Sequence, residues 1–195
     1  MQSVAAVILG AGESSRFGSP KQLAQFRGKS FVRQMVDSAR DAGCLPVVLV
    51  VGSRAAKIEA EVPPGVIVVK NENWQAGIGT SVRSGVQHLI EIDAKVDAVL
   101  LLVCDQPFVD ANVIRTLIAE GRKTGKDIIA SSYSDTLGVP ALFARPLFPE
   151  LLTLDGDAGA KKIILASLDR VAEFQFPEGK IDIDFPADYE AAEIA

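Results

Sequence analysis

The chain has 195 residues, of which 48% are hydrophobic, enough for one domain with a substantial core. A mean hydropathy of +0.24 excludes a disordered chain, because this much apolar surface offsets the entropy of folding. Twenty Lys and Arg against 25 Asp and Glu give a net charge of -5, which excludes a surface built to coat nucleic acid and makes any phosphate binding a local matter.

The first predicted element is the run "VAAVIL" at 4–9, unbroken by polar residues as in strands covered on both faces. No basic and apolar leader precedes it and no stretch reaches the length of a membrane span, so a soluble, cytoplasmic protein is expected. Next comes "LGAGESSRFGSPKQL", Leu9 to Leu23, far longer than the roughly 2–6 residues that usually join strand to helix. Gly10 and Gly12 let the main chain approach a ligand, and backbone N–H groups in such turns form a concavity for anions. Arg16 adds a planar fork and Lys21 a mobile point charge, two ways of holding a polyphosphate. Neither common phosphate motif fits. Gly18 is followed by Ser19 and Pro20 rather than by lysine, and Ser15 stands where the dinucleotide fingerprint has its third glycine. The competing reading is a long surface turn with incidental charges.

Phe31, Val32, Met35, Val36 and Ala39 have helical spacing, and apolar runs at 46–51 and 66–69 predict two more strands. In "NWQAGIGTSVRSGV", Gly77 and Gly79 precede a helix carrying Val82, Val86, Leu89 and Ile90, with the hydroxyls of Thr80 and Ser81 at its start. Glycines beside a helix start admit a ribose and base, while simple N-capping accounts equally for Thr80. Trp74 packs this loop or borders a cleft, Arg83 contacts phosphate or solvent, and His88, the only histidine, is given no role. The run at 97–103 ends in "CDQP", which places Asp105 beyond the carboxyl end of a central strand, where ligands collect in layered α/β folds. Asp110 is the better cap for the following helix, marked by Val113, Ile114, Leu117 and Ile118, and this leaves Asp105 for a cation. Mg²⁺ prefers one or two carboxylates, with water and phosphate completing its shell.

A fifth strand is predicted at 127–131. Past Asp135 the segments "GVPALFAR", "LDGDAGAKKI" and "VAEFQF" read as an irregular region before "IDIDFPADY" and a last short helix. In "GDAGAKKI", Asp157, Gly159 and Lys161 offer a helix start and a cation to a second substrate's phosphate. Cys44 and Cys104 lie far apart outside any CxxC pair, which suggests neither zinc nor a disulfide framework and fits a reducing compartment. The alternation of strands and helices predicts one α/β domain over residues 1–195, three-layered and Rossmann-like, its mostly parallel sheet covered by helices on both faces.

After Gly10, the residues Gly12, Ser14, Arg16, Gly18 and Lys21 stand in register with the pattern LxAGxSxRxGxxK, and the stretch resembles the signature of nucleotidyltransferases related to the molybdenum cofactor cytidylyl- and guanylyltransferases. The likeness continues in order through "GIGTSVRSGV", "CDQP", "GDAGA" and "DIDFPADY", nearly the whole chain. It implies the nucleotidyltransferase form of the Rossmann-like fold, with nucleotide bound by Leu9, Gly10, Ala11, Gly12, Ser14, Arg16, Lys21, Gly79, Thr80 and Ser81. It also implies Mg²⁺ on Asp105 and Asp184, with Asp182 a neighbouring alternative to the latter, and an acceptor near Gly138, Pro140, Asp157, Gly159 and Lys161. Arg16, Lys21 and Asp105 are the catalytic residues it implies. Ala11 is similar to the cytidylyl version, where the guanylyl version tends to carry glycine. Lys161 and Val139 depart from the arginine and histidine frequent in the family, which bears on the acceptor more than on the reaction.

The implied reaction is Mg²⁺-dependent transfer of CMP from CTP to a phosphate-bearing acceptor, molybdopterin first, with release of pyrophosphate. The implied partners are CTP, that acceptor, and a molybdoenzyme or its chaperone, with no nucleic acid and no membrane. Two alternatives stay open: a transferase using GTP or another small phosphate acceptor, and an accessory protein for molybdoenzyme maturation that binds nucleotide without turning it over.

Overall fold

The computed structural model describes residues 3–13 and 20–181; Ser14, Arg16, Gly18, Asp182, Asp184 and the expected last helix lie outside them. Nine strands are described: β1 (Val4–Gly10), β2 (Gln25–Phe26), β3 (Lys29–Ser30), β4 (Val47–Val51), β5 (Ile67–Lys70), β6 (Ala98–Val103), β7 (Ile128–Tyr133), β8 (Thr136–Ala144) and β9 (Val171–Gln175). The helices are α1 (Phe31–Asp41), α2 (Ala55–Glu59), α3 (Ile78–Glu91), α4 (Ala111–Thr124), α5 (Phe148–Leu151) and α6 (Lys161–Ala166), with short 3₁₀ turns between them.

Seven strands form one mostly parallel sheet in the order β5-β4-β1-β6-β8-β7-β9, and β2 and β3 form a separate two-residue ladder. Alternation along the central strands explains why they read as unbroken apolar runs. Ala5, Val7 and Leu9 of β1 pack on Val82, Val86 and Leu89 of α3, while Val4, Ala6 and Ile8 face Val32, Met35 and Val36 of α1 and Ile114 and Leu117 of α4. Both faces are therefore dry, as the sequence predicts. Gly85 lets α3 lie close on β1: a Cβ there would stand 2.4 Å from Val7 Cγ1.

The region past Asp135 departs from the irregular course expected for it. "TLGVPALFA" is β8, a strand running antiparallel to both β6 and β7 near the middle of the sheet, and "VAEFQ" is β9, paired in parallel with β7. Pro140 hides the first of these in the sequence, because a proline argues against an interior strand. It is tolerated where the β7–β8 register shifts: Ala130 faces Ala141 but Ser131 faces Gly138, so Val139 and Pro140 fall in a bulge that needs no ladder N–H. Among the described residues no helix is long and apolar enough to cross a membrane.

Candidate active site

Beyond the carboxyl ends of β1 and β6 lies a cleft lined by Leu9, Ala11, Gly12, Lys21, Gln22, Trp74, Ile78, Ser81, Val103, Cys104 and Asp105. Lys21 Nζ stands 2.6 Å from Asp105 Oδ2, with side chains 17% and 24% exposed. The segments that carry the two partners are tied to each other and to α1. Phe26, five residues after Lys21, and Phe108, three after Asp105, meet edge to face at 6.2 Å, and Phe26 stacks on Phe31 at 5.8 Å. Gln34 Nε2 donates to the Pro107 carbonyl at 2.7 Å, tying α1 to the turn that carries Asp105.

The sequence reading did not single out Gln22. Its buried carboxamide donates to the carbonyls of Gly10 (3.1 Å) and Gly12 (2.9 Å), so one side chain satisfies both oxygens. The Ala11 carbonyl accepts from Ser53 N at 3.3 Å. Anchoring three successive carbonyls fixes the course of the chain out of β1. In sequence the only signal was a polar residue where the apolar pattern offers none, which does not distinguish a buried clamp from a surface glutamine.

Across the cleft, α3 starts one residue after Gly77, which has φ +119° and lies so close to Gly156 that a Cβ would reach its carbonyl carbon at 2.2 Å. Gly79 N donates to Gly156 O at 2.9 Å, and a Cβ at Gly79 would stand 2.8 Å from Ala158 O. These glycines thus seat the 155–158 turn against the helix start. Thr80 is the third residue of α3, not its cap, and it is buried. Its hydroxyl accepts from Asn71 Nδ2 at 2.8 Å and donates toward the carbonyls of Gly77 and Asn73. Ser81 Oγ also accepts from Asn71, at 3.0 Å, and Ser81 lines the cleft. Asn71, another residue the sequence reading passed over, is the buried hub of this corner. Trp74 both borders the cleft and packs on Gly52, where a Cβ would lie 2.6 Å from the indole Cγ. Arg83 pairs with Asp155 at 3.7 Å, and Asp110 Oδ1 caps α4 by accepting from Asn112 N and Val113 N, each at 2.8 Å.

None of the residues expected to meet an acceptor is itself in this cleft lining, although Gly159 packs on Ile78, which is. Asp157 and Gly159 belong to the turn packed on α3, and Lys161 opens α6. Gly138 lies under Tyr133, whose hydroxyl would be 2.5 Å from a Cβ there, and Pro140 O accepts from Ser131 Oγ at 2.7 Å. Gln106, buried beside Asp105, donates to Val139 O (3.1 Å) and Gly179 O (2.9 Å), linking the Asp105 turn to that strand. Cys104 is buried at the cleft wall; burial, with the Asp105 charge adding to it, pushes its thiol far above the ordinary range.

A family model described as "MobA-like NTP transferase domain" matches residues 6–171, which include β4, β5, β6, all of β1 but Val4 and Ala5, and both members of the Lys21–Asp105 pair. The chain belongs to the MobA-like NTP transferase family. It is a nucleotidyltransferase of that family. Nicotine blue oxidoreductase of Paenarthrobacter nicotinovorans is 31% identical over 170 residues, covering 81% of this chain and 79% of that protein. The crystal structure of Rv0371c from Mycobacterium tuberculosis H37Rv is similar at 30% identity and TM-score 0.84, covering 99% of this chain and 98% of that one. A complex of Rv0371c with manganese aligns at 28% identity and TM-score 0.80 over the whole of both chains. Molybdopterin-guanine dinucleotide biosynthesis protein A from Archaeoglobus fulgidus shares the fold at TM-score 0.68 and 19% identity, covering 97% of each chain.

A divalent cation fits the residues present. Asp105 offers hard carboxylate oxygens inside the cleft, and one such donor with phosphate and water is the kind of shell Mg²⁺ or Mn²⁺ accepts. Among the described residues there is no cluster of three or more His, Cys, Asp or Glu, so an all-protein metal cage is not built there.

Proposed function

We propose that this protein transfers CMP from CTP to a phosphate-bearing acceptor, molybdopterin in the first place, and releases pyrophosphate. The observation that carries the reading is the Lys21–Asp105 pair at 2.6 Å in the cleft beyond β1 and β6. A cation and a carboxylate side by side suit a metal-bound triphosphate, one for the phosphates and one for the metal. Supporting CTP is Ala11, buried at the cleft, the residue that the cytidylyl version carries.

Asp105 is the proposed ligand of Mg²⁺, with Asp184 the second, and a related protein's manganese complex supports a divalent cation. When bound, the cation neutralises charge on the triphosphate as pyrophosphate departs. An ionised oxygen of the acceptor's phosphate forms the new bond to the α-phosphorus. The bond from that phosphorus to the bridging oxygen breaks, and its electron pair leaves with pyrophosphate. No proton moves and no covalent enzyme intermediate forms, so the chain's task is to hold charges and align atoms. Lys21 and Arg16 hold the triphosphate. Leu9, Gly10, Ala11, Gly12, Ser14, Gly79 and Ser81 surround the nucleotide, while Thr80, whose hydroxyl is engaged inside the protein, shapes the wall behind it. The acceptor docks toward Gly138, Pro140, Asp157, Gly159 and Lys161, within one domain working in the cytoplasm.

The test is pyrophosphate release with CTP, GTP, ATP and UTP against molybdopterin and a panel of sugar phosphates. CTP with molybdopterin is expected to be fastest. GTP outcompeting CTP overturns the role given to Ala11, and binding of CTP without turnover on any acceptor favours the accessory-protein reading.

A further inference from the structure

The Lys21–Asp105 contact carries a consequence for the order in which ligands enter. Lys21 Nζ lies 2.6 Å from Asp105 Oδ2, and the two side chains are only 17% and 24% exposed. A charge-assisted hydrogen bond of this length engages one of the two carboxylate oxygens and sets a positive charge beside any cation that arrives at the other. Partial burial weakens solvent screening, so two positive charges cannot share this carboxylate cheaply. A triphosphate changes the balance by offering the ammonium group another anion. The aromatic contacts among Phe26, Phe31 and Phe108 hold the two backbone segments together, so the flexible lysine stem can swing while they keep their places.

We propose that Lys21 is an internal counter-ion that keeps Asp105 closed to a divalent cation until a nucleoside triphosphate draws the lysine away, so that metal and nucleotide bind with positive coupling. This rests on the assignment of Asp105 as a metal ligand and of the cleft as a nucleotide site. The coupling is reciprocal: whatever factor the nucleotide adds to metal affinity, the metal adds to nucleotide affinity. Coupling through metal–phosphate bonds alone would leave the affinity for metal by itself indifferent to residue 21.

The experiment is a titration with Mn²⁺ alone, followed by paramagnetic resonance, on the full chain and its Lys21→Gln and Lys21→Ala variants. Lys70→Gln serves as the charge control, since Lys70 lies outside the cleft and pairs with Glu72 at 2.8 Å. Without nucleotide, both Lys21 variants are expected to bind Mn²⁺ roughly tenfold tighter than the parent, the effect of removing one adjacent cation from a carboxylate. Lys70→Gln should match the parent. CTP should then raise Mn²⁺ affinity more in the parent than in either variant. Equal Mn²⁺ affinity in parent and Lys21 variants overturns the proposal while leaving the cleft's assignment intact. A parent that binds CTP in neither the presence nor the absence of Mn²⁺ removes the assignment and the proposal together. If one variant fails to fold, the other decides.

Discussion

Lys21 and Asp105 are 84 positions apart in the chain and 2.6 Å apart in the fold, so their pairing is a product of topology rather than of any local motif. Each was legible singly: a lysine closing a glycine-rich turn and an aspartate ending an apolar strand. What the sequence did not disclose is how they are held. Gln22, Asn71 and Gln106 are buried amides that look in sequence like surface residues, and their value lies in the carbonyls and hydroxyls they satisfy. Asp105→Asn removes the charge but keeps the shape, and it is expected to lower turnover roughly 10²–10³-fold with the circular dichroism spectrum unchanged. Full activity in Mg²⁺ would remove Asp105 from the mechanism. The two thiols make a different prediction. Burial pushes Cys44 up to about 12 and Cys104 higher still, so neither is a thiolate at pH 8. Iodoacetamide at that pH should label neither cysteine in the folded protein and both in guanidinium. By linkage, the stability tied to Cys44 is complete below the ordinary thiol value of 9.0 and is lost as pH climbs toward about 12, which alkaline unfolding curves would register.

At the scale of elements, the runs that became β1, β4 and β6 were plain because strands buried on both faces tolerate almost no polar residue, and β5 and β7 showed through their short β-branched runs. Helices α1, α3 and α4 were equally plain from their one-sided apolar spacing. Strands β8 and β9 were not. The first contains Gly138 and Pro140, whose fit depends on a bulge created by pairing with β7, and the second is a half-exposed edge with no sustained apolar run. Thr80 was open in sequence between cap and ligand contact, and it is neither at an α3 cap position nor on the cleft wall. Contacts between elements set the glycine requirements. Gly85→Ala would drive a methyl to 2.4 Å from Val7 Cγ1 and 3.0 Å from Val50 Cγ2. Overpacking of this kind costs about 1–3 kcal/mol, against about 1 kcal/mol gained in helix propensity. Urea unfolding should show a net loss of stability. A more stable Gly85→Ala protein would contradict the close seating of α3 on the sheet.

For the whole molecule, the sheet order puts β1 and β6 side by side near the centre, and the site occupies their shared carboxyl edge. That position was foreseeable from the alternation of elements, because open α/β sheets gather ligands there. The net charge of -5 means that no long-range basic field draws in the triphosphate, so local cations and a metal must offset its charge. Chelation with EDTA is therefore expected to abolish pyrophosphate release, and Mg²⁺ or Mn²⁺ to restore it. The most direct measurement is a crystal structure with Mn²⁺ and a CTP analogue whose α,β-bridge cannot be cleaved. Expected are an anomalous peak roughly 2.0–2.3 Å from an Asp105 oxygen, the triphosphate lying along the Gly10–Gly12 turn, and Lys21 Nζ moved from Asp105 to a phosphate oxygen. Nucleotide bound elsewhere, or Mn²⁺ held without Asp105, would contradict that arrangement.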